Sequence, residues 1–100
     1  MSKITVDAEK GKAVVVPESE LNTITAPKLE KELEGIMDSL NELVLDFSNV
    51  EYMSSAGLRV VLGAHQVMKK KGGLKIINVS EIVMEAFEVT GLLNALNFGE

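Results

Sequence analysis

A short apolar segment followed by two adjacent serines constrains the fold of this chain more than any other part of the sequence. Residues 43–47 are apolar except for Asp46, and Ser54 and Ser55 come shortly before a long helical pattern that ends in the lysines at 69–71. Apolar side chains on both faces are typical of a central, mostly parallel strand that helices cover on at least one face. The two serines are therefore predicted to lie on the turn where a buried strand becomes a helix.

The start of a helix can hold a phosphate group, and this gives the two serines a candidate regulatory role. A helix N-terminus carries unpaired N–H donors and a partial positive charge, and both favour an anion at that position. A serine hydroxyl there is a good candidate for a regulated phosphoacceptor. Serine is also a preferred N-cap residue, and capping alone would explain one of the two serines.

The rest of the chain reads as short strands and helices in alternation. Strands are predicted where residues are apolar or alternate with polar neighbours, at 4–6, 13–16, 43–47, 74–79 and 94–98. A turn separates the first two, which predicts an antiparallel hairpin. Three helices are predicted from apolar residues at helical spacing: one capped by Thr25, one from about residue 57 to residue 71, and one that Ser80 caps and Gly91 ends.

Each helix is expected to turn one apolar side toward the core. The main core-facing residues of the second helix are expected to be Leu58, Val61, Leu62 and Met68. Those of the third helix are expected to be Ile82, Val83, Ala86 and Phe87. Just beyond the third helix, Leu92 is expected to pack back onto its last turn, as an apolar residue after a helix-ending glycine often does.

The order β-β-α-β-α-β-α-β predicts an α/β fold in which a mixed, mostly parallel sheet packs against helices. The loops after the second, third and fourth strands then emerge at the same carboxyl edge, which carries the ligand or partner site in open α/β sheets. We therefore expect residues 21–23, 53–55 and 79–80 to form one continuous rim. The length of 100 residues, with 46% apolar content, fits one domain spanning residues 1–100.

Composition excludes several classes of function. The net charge of −5 argues against a nucleic-acid partner, and no apolar run approaches membrane-spanning length. The absence of cysteine excludes thiolate metal sites and fits a reducing cytoplasm. The single histidine, His65, lies about two turns inside the second helix and therefore far from the serines. We expect no metal, no cofactor and no catalytic residues, and hence a binding protein rather than an enzyme.

Residues 46–58 around the serines, together with residues 87–92, resemble the STAS domain and more narrowly the bacterial anti-sigma factor antagonists. The resemblance spans nearly the whole chain. It implies that the unphosphorylated protein binds an anti-sigma factor, which is also a serine kinase with a histidine-kinase-like ATP fold, and so releases the sigma factor. The kinase then phosphorylates one serine and the complex separates, until a separate serine phosphatase removes the phosphate.

The phosphoacceptor that matches the family motif is Ser55, and Ser54 is a second candidate. With the predicted rim and the helix that follows it, the resemblance assigns partner binding to Asn22, Thr23, Met53, Ser54, Ser55, Gly57 and Arg59. Ser54 and Asn22 stand where many antagonists carry aspartate. If Asn22 faces Ser55, its amide can hydrogen-bond the hydroxyl but cannot repel a phosphate as a carboxylate would.

Two other functions remain open from the sequence. A STAS domain can bind a partner without a serine switch, as a scaffold subunit of a stress-signalling complex or as a lipid-transport accessory, and Ser55 would then only cap the helix. A small β/α phosphocarrier has a similar length and a regulatory serine at a helix start. Its phosphorylated histidine would need a helix-start position, which His65 lacks.

Overall fold

The computed structural model describes residues 2–91 and 94–99, which form strands and helices in the order β-β-β-α-β-β-α-β-α. The strands are β1 (Lys3–Asp7), β2 (Lys12–Val16), β3 (Glu20–Leu21), β4 (Glu42–Asp46), β5 (Tyr52–Met53) and β6 (Leu74–Ile77). The helices are α1 (Thr25–Met37), α2 (Ser55–Met68) and α3 (Glu81–Val89).

The larger sheet confirms the predicted mixed topology. Its strand order is β1-β2-β4-β6, with β1 antiparallel to β2 and the other neighbouring pairs parallel. The hairpin expected at the N-terminus is therefore present. The parallel strands are joined through α1 and α2, as strand–helix–strand units require.

A second sheet, which the sequence analysis did not predict, consists of β3 and β5 alone. The two strands are parallel, with Glu20 opposite Tyr52 and Leu21 opposite Met53. The ladder continues at both ends, because the Ser19 carbonyl accepts from Glu51 N–H (2.7 Å) and the Leu21 carbonyl accepts from Ser54 N–H (2.8 Å). Strands of two residues are too short to show an alternating pattern, so only the structure reveals this pairing.

The core lies on one face of the larger sheet. Along β2, β4 and β6 the buried residues occupy alternate positions, and the residues between them are half-buried or exposed. Alternate positions of a strand point to the same face, so the helices cover one face and leave the other more open. Two ring contacts join the far end of this core: Phe47 to Phe87 at 6.2 Å between centroids, and Phe87 to Phe98 at 5.1 Å.

The predicted cap of the first helix is wrong. Thr25 is the first residue of α1, and Asn22 supplies the capping side chain instead. Asn22 Oδ1 accepts from the N–H groups of Ile24 (2.9 Å) and Thr25 (3.0 Å), and Thr25 Oγ1 accepts from Asn22 N–H (2.9 Å). Asn22 and Thr25, three positions apart, thus each accept a hydrogen bond from the backbone N–H of the other, which is the reciprocal arrangement of a capping box. Asparagine is as good an N-cap as serine, and the sequence alone did not show which residue takes the position.

The predicted ends of α3 are confirmed, whereas both ends of α2 differ from the prediction. In α3 the Ser80 hydroxyl accepts from Val83 N–H at 3.3 Å, and Gly91 follows with a φ of 77°. Helix α2 begins at Ser55 rather than near residue 57, and it ends at Met68 rather than residue 71. Gly73, with a φ of 100°, closes α2 because its N–H donates to the Met68 carbonyl at 3.0 Å.

Not every residue assigned to the core is buried. Of the four in α2, Leu58, Val61 and Met68 are buried and Leu62 is half-buried. In α3, Val83 and Phe87 are buried and Ala86 is half-buried, but Ile82 is 70% exposed, so its assignment is wrong. The apolar arc of α3 is wider than the stripe that the core covers, and periodicity alone does not show which edge of the arc is left outside.

The end of the chain differs from the prediction as well. Residues 94–98 do not form a strand; Phe98 makes a single parallel bridge to Ile76 at the β6 edge of the sheet. Leu92, which was expected to pack onto the last turn of α3, lies outside the described residues.

A hydrogen bond joins β4 to the turn after β6 and lowers the pKa of a carboxyl group. Asn78 Nδ2 donates to Asp46 Oδ1 at 3.0 Å, and this bond is the main cause that lowers the pKa of Asp46 below its ordinary value of 3.8. A carboxyl with a lowered folded-state pKa contributes stability above its unfolded pKa, and that contribution is lost as the pH falls through the folded value. Asn78 has a φ of 58°, which glycine also adopts readily.

We therefore expect Asn78→Gly to remove the hydrogen bond while keeping the backbone, and to flatten the acid dependence of stability. Urea unfolding at about pH 7, 5 and 3 should show that the wild-type chain loses more free energy of unfolding toward acid than the variant does. Parallel pH profiles for the two chains would show that the bond does not hold the carboxylate in solution.

Candidate partner-binding site

The turn between β5 and α2 places Ser54 and Ser55 differently. Ser54 is the N-cap residue of α2 and has an extended backbone, with φ −90° and ψ 177°. Its N–H donates to the Leu21 carbonyl (2.8 Å), and its carbonyl accepts from Leu58 N–H (3.1 Å). Ser55 is the first residue of the helix and is exposed. The structure thus confirms the predicted strand-to-helix turn.

Neither serine caps α2 with its side chain. The Ser54 hydroxyl is buried and has no hydrogen-bond partner among the described residues, and the N-terminus of α2 has no side-chain cap. By contrast, Asn22 precedes α1 and Ser80 precedes α3, and both side chains accept from the backbone. No side chain among the described residues therefore caps the first N–H groups of α2, and capping does not explain the serine pair.

Two of the three predicted rim segments lie side by side. The pairing of Leu21 with Met53, and the bond from Ser54 N–H to the Leu21 carbonyl, bring residues 21–23 next to residues 53–55. The third segment, residues 79–80, is connected to the other two only through α3. Ser80 caps the start of α3, and α3 packs against β5. No hydrogen bond in the described part of the chain joins Ser80 to either of the other segments.

Asn22 is occupied by α1 rather than by Ser55. Besides its two capping bonds, its side-chain amide donates to Glu20 Oε1 at 3.4 Å. Within residues 2–91 and 94–99, no hydrogen bond connects Asn22 with Ser55. The residue therefore shapes the rim by capping the start of α1, and Thr23 next to it is exposed.

Gly57 allows the first turn of α2 to lie against both short strands. A Cβ atom at this position would be 2.6 Å from Met53 Cγ, 2.9 Å from Leu21 Cβ and 3.2 Å from the Leu21 carbonyl oxygen. Met53 and Leu21 are both buried, so neither can move away freely. The glycine is thus required by close packing behind the serines.

Arg59 supplies a positive charge on the same side of α2 as Ser55. The two residues are four positions apart, so they are neighbours on the helix surface, and both are exposed. Arg59 also lines a shallow depression of about 120 Å³ between α1 and α2, together with Pro27, Glu30 and others.

Sequence analysis missed one apolar surface close to this site. Tyr52 and Met53 of β5, Leu58 of α2 and the outer side of α3 line an open groove of about 390 Å³. Tyr52 is 51% exposed and Ile82 is 70% exposed. From the sequence, Met53 was assigned to partner binding, whereas the outer part of the apolar arc of α3 was assigned to the core.

The described residues contain no cluster of three or more histidine, cysteine or acidic side chains that could hold a metal ion. His65 is half-buried within α2, and the structure does not bring it to the serines. Among these residues no helix is long and apolar enough to cross a lipid bilayer.

Comparison with known proteins identifies the family. The sequence model of the STAS domain matches residues 3–100. This chain belongs to the STAS domain family. Among its relatives, the anti-sigma-B factor antagonist of Bacillus subtilis is 34% identical over 79 residues, which cover 78% of this chain and 72% of the relative.

Solved structures agree with this assignment. An anti-sigma factor antagonist from Mycobacterium paratuberculosis superposes with a TM-score of 0.86 at 25% identity, over 98% of this STAS domain and 83% of that chain. The unphosphorylated form of SpoIIAA from Bacillus superposes with a TM-score of 0.83 at 16% identity, over 100% of this chain and 89% of that one. At that identity the second likeness supports the fold alone.

Packing at Gly57 gives a test that uses a second glycine of the same helix as its control. Gly57→Ala should destabilise the fold by about 1–3 kcal/mol, because the added methyl group overlaps Met53 and Leu21. At Gly63 no atom lies within 4 Å of an added Cβ, so alanine fits without a clash. Gly63→Ala should stabilise the chain by about 0.5–1 kcal/mol, because glycine is less favourable than alanine inside a helix. Chemical denaturation of both variants measures the difference, and equal effects would contradict the close packing of α2.

Proposed function

We propose that this STAS domain is an anti-sigma factor antagonist that is switched off by phosphorylation of Ser55. The observation that carries the proposal is the exposed Ser55 at the uncapped start of α2, on the rim formed with residues 21–23. Relatives named as anti-sigma factor antagonists support the partner class. The domain acts by binding and needs no catalytic residue or cofactor of its own.

The proposed switch follows from the chemistry of the phosphate. Phosphorylation adds roughly −1.5 to −2 charges and three acceptor oxygens. The free N–H groups of α2 favour this charge in the isolated domain, and Arg59 one turn along adds a cation. A partner that excludes water at Ser55 would have to remove the hydration of the phosphate. Each 1.4 kcal/mol lost in this way lowers affinity about tenfold.

The structure favours Ser55 over Ser54 as the phosphoacceptor. Ser55 is exposed, whereas the Ser54 hydroxyl is buried against the rim and would have to turn outward to reach a kinase. The proposed partners are an anti-sigma factor that is also a serine kinase with a histidine-kinase-like ATP fold, and a serine phosphatase that restores the binding form. We place this exchange in the cytoplasm.

A STAS module without a serine switch is the second candidate. The apolar groove between β5 and α3 favours it, because this surface could hold a partner whether or not Ser55 carries a phosphate. In that case Ser55 would remain unmodified in growing and in stressed cells.

The binding test uses the serine kinases of the host that have the histidine-kinase-like fold, purified one by one. Ser55→Asp should weaken binding to the cognate kinase by at least about tenfold, because a carboxylate places charge in a surface that must lose water. Ser55→Ala is the control and should bind like the parent chain. Calorimetry measures both, and undiminished binding of Ser55→Asp would contradict the switch.

The site of modification is tested separately. Incubation with the same kinase and ATP, followed by peptide mass spectrometry, should place one phosphate on Ser55. Ser54→Ala should still be phosphorylated and Ser55→Ala should not, since only Ser55 is exposed. Phosphate on Ser54 would move the switch by one residue, and no phosphate with any host kinase would favour the unswitched module.

A further inference from the structure

Helix α3 has more apolar surface than the core uses. Val83 and Phe87 are buried, yet Ile82 is 70% exposed and Val89 is 86% exposed. These two exposed residues are seven positions apart, so they lie on one side of the helix, two turns from each other. Scattered exposed apolar residues are ordinary on a protein surface, but these two lie along one groove.

The groove has apolar walls from three elements. It is lined by Tyr52 and Met53 of β5, Leu58 of α2, Ile82, Glu85, Ala86 and Val89 of α3, and Thr90 directly after α3, and we call it the α3–β5 groove. Its volume is about 390 Å³ and it is open to solvent. Two ridge residues separated by two helical turns, with a tyrosine opposite them, match the surface that receives one amphipathic helix.

The α3 side of the α3–β5 groove carries negative charge. Glu85 lines the groove, Glu81 and Glu88 are exposed next to it on the adjoining side of the helix, and α3 contains no lysine or arginine. An occupant of this groove therefore gains from positive charge at the edges of its apolar surface.

The same charge argues against other occupants. A second copy related by a two-fold axis would place the glutamates of one α3 near those of the other. Nucleic acid and anionic membrane surfaces would be repelled by the glutamates of α3. What remains is a protein segment whose charge is opposite to that of α3.

We propose that the α3–β5 groove binds an amphipathic helix of a partner protein whose apolar stripe is flanked by lysine or arginine. The apolar stripe packs between Tyr52 and the exposed pair Ile82 and Val89. The flanking cations lie near Glu85 and its neighbours on α3. This binding does not require phosphorylation of Ser55, so it goes beyond the switch proposed above.

The first test uses a labelled synthetic helix of about 18 residues with leucine on one face and lysine on the flanks. Fluorescence anisotropy at physiological salt should show binding to the full chain. A peptide of the same composition with scrambled order should bind at least about tenfold more weakly, and so should a leucine–glutamate helix. Equal binding of the scrambled peptide would show general charge attraction and overturn the proposal.

Variants locate the binding on the surface. Ile82→Ser and Val89→Ser should each weaken peptide binding by about tenfold, since each removes apolar area from the contact. Val6→Ser is the matched control, because Val6 is 48% exposed on β1 and should not contact the peptide. Circular dichroism confirms that each variant is folded. Unchanged binding of both groove variants would overturn the proposal.

Charge and alternative occupants are tested with the same proteins. Glu85→Gln should weaken binding of the lysine peptide, whereas Glu9→Gln, in the turn after β1, should not. Dimerisation that Ile82→Ser abolishes, or binding to phosphatidylserine vesicles that it abolishes, would assign the groove to another occupant. Ser55→Asp should leave peptide binding unchanged, so failure of the serine switch and failure of the groove proposal can be told apart.

Discussion

The packing of α2 against the β3–β5 pair is the interaction on which the proposed site depends. Gly57 is its central point, because the absence of a side chain lets the first turn of α2 touch both Leu21 and Met53. This contact and the bond from Ser54 N–H to the Leu21 carbonyl position the serine turn beside residues 21–23. Two chain segments that are far apart in sequence therefore form one continuous surface.

Much of the fold could be predicted because it follows from strong local patterns. The apolar run of β4, the hairpin of β1 and β2, and the cap at Ser80 each have a clear physical signature in a few residues. The pairing of β3 with β5 has none, since two-residue strands have no period and their partner is chosen by tertiary packing. The cap at Asn22 was missed because the neighbouring Thr25 is also a plausible capping residue, and the two exchange hydrogen bonds in the structure.

The position of the serine turn was predicted, but the difference between its two serines was not. Sequence placed Ser54 and Ser55 at a helix start, yet it left capping and phosphorylation both open for each. Burial distinguishes the two serines, because the Ser54 hydroxyl is enclosed without a partner among the described residues, whereas Ser55 faces solvent. Ile82 was wrongly assigned to the core, because the sequence pattern does not show how wide a strip of α3 the core covers. An apolar residue just outside that strip has the same helical spacing as a core residue.

The two proposed surfaces, the α3–β5 groove and the rim at Ser55, would have different roles: the first would supply affinity and the second would make binding depend on phosphorylation. Net charge alone would make a phosphate on Ser55 attract a partner that carries lysine or arginine, so repulsion does not explain a switch. Desolvation explains a switch, because a phosphate on Ser55 is stabilised by water and by the N–H groups at the start of α2. A partner that docks over this turn removes the water and loses that stabilisation. The α3–β5 groove begins one turn further along at Leu58, where an apolar contact does not depend on the state of the serine. A partner that uses both surfaces would draw much of its binding energy from the groove and its sensitivity to phosphorylation from the rim.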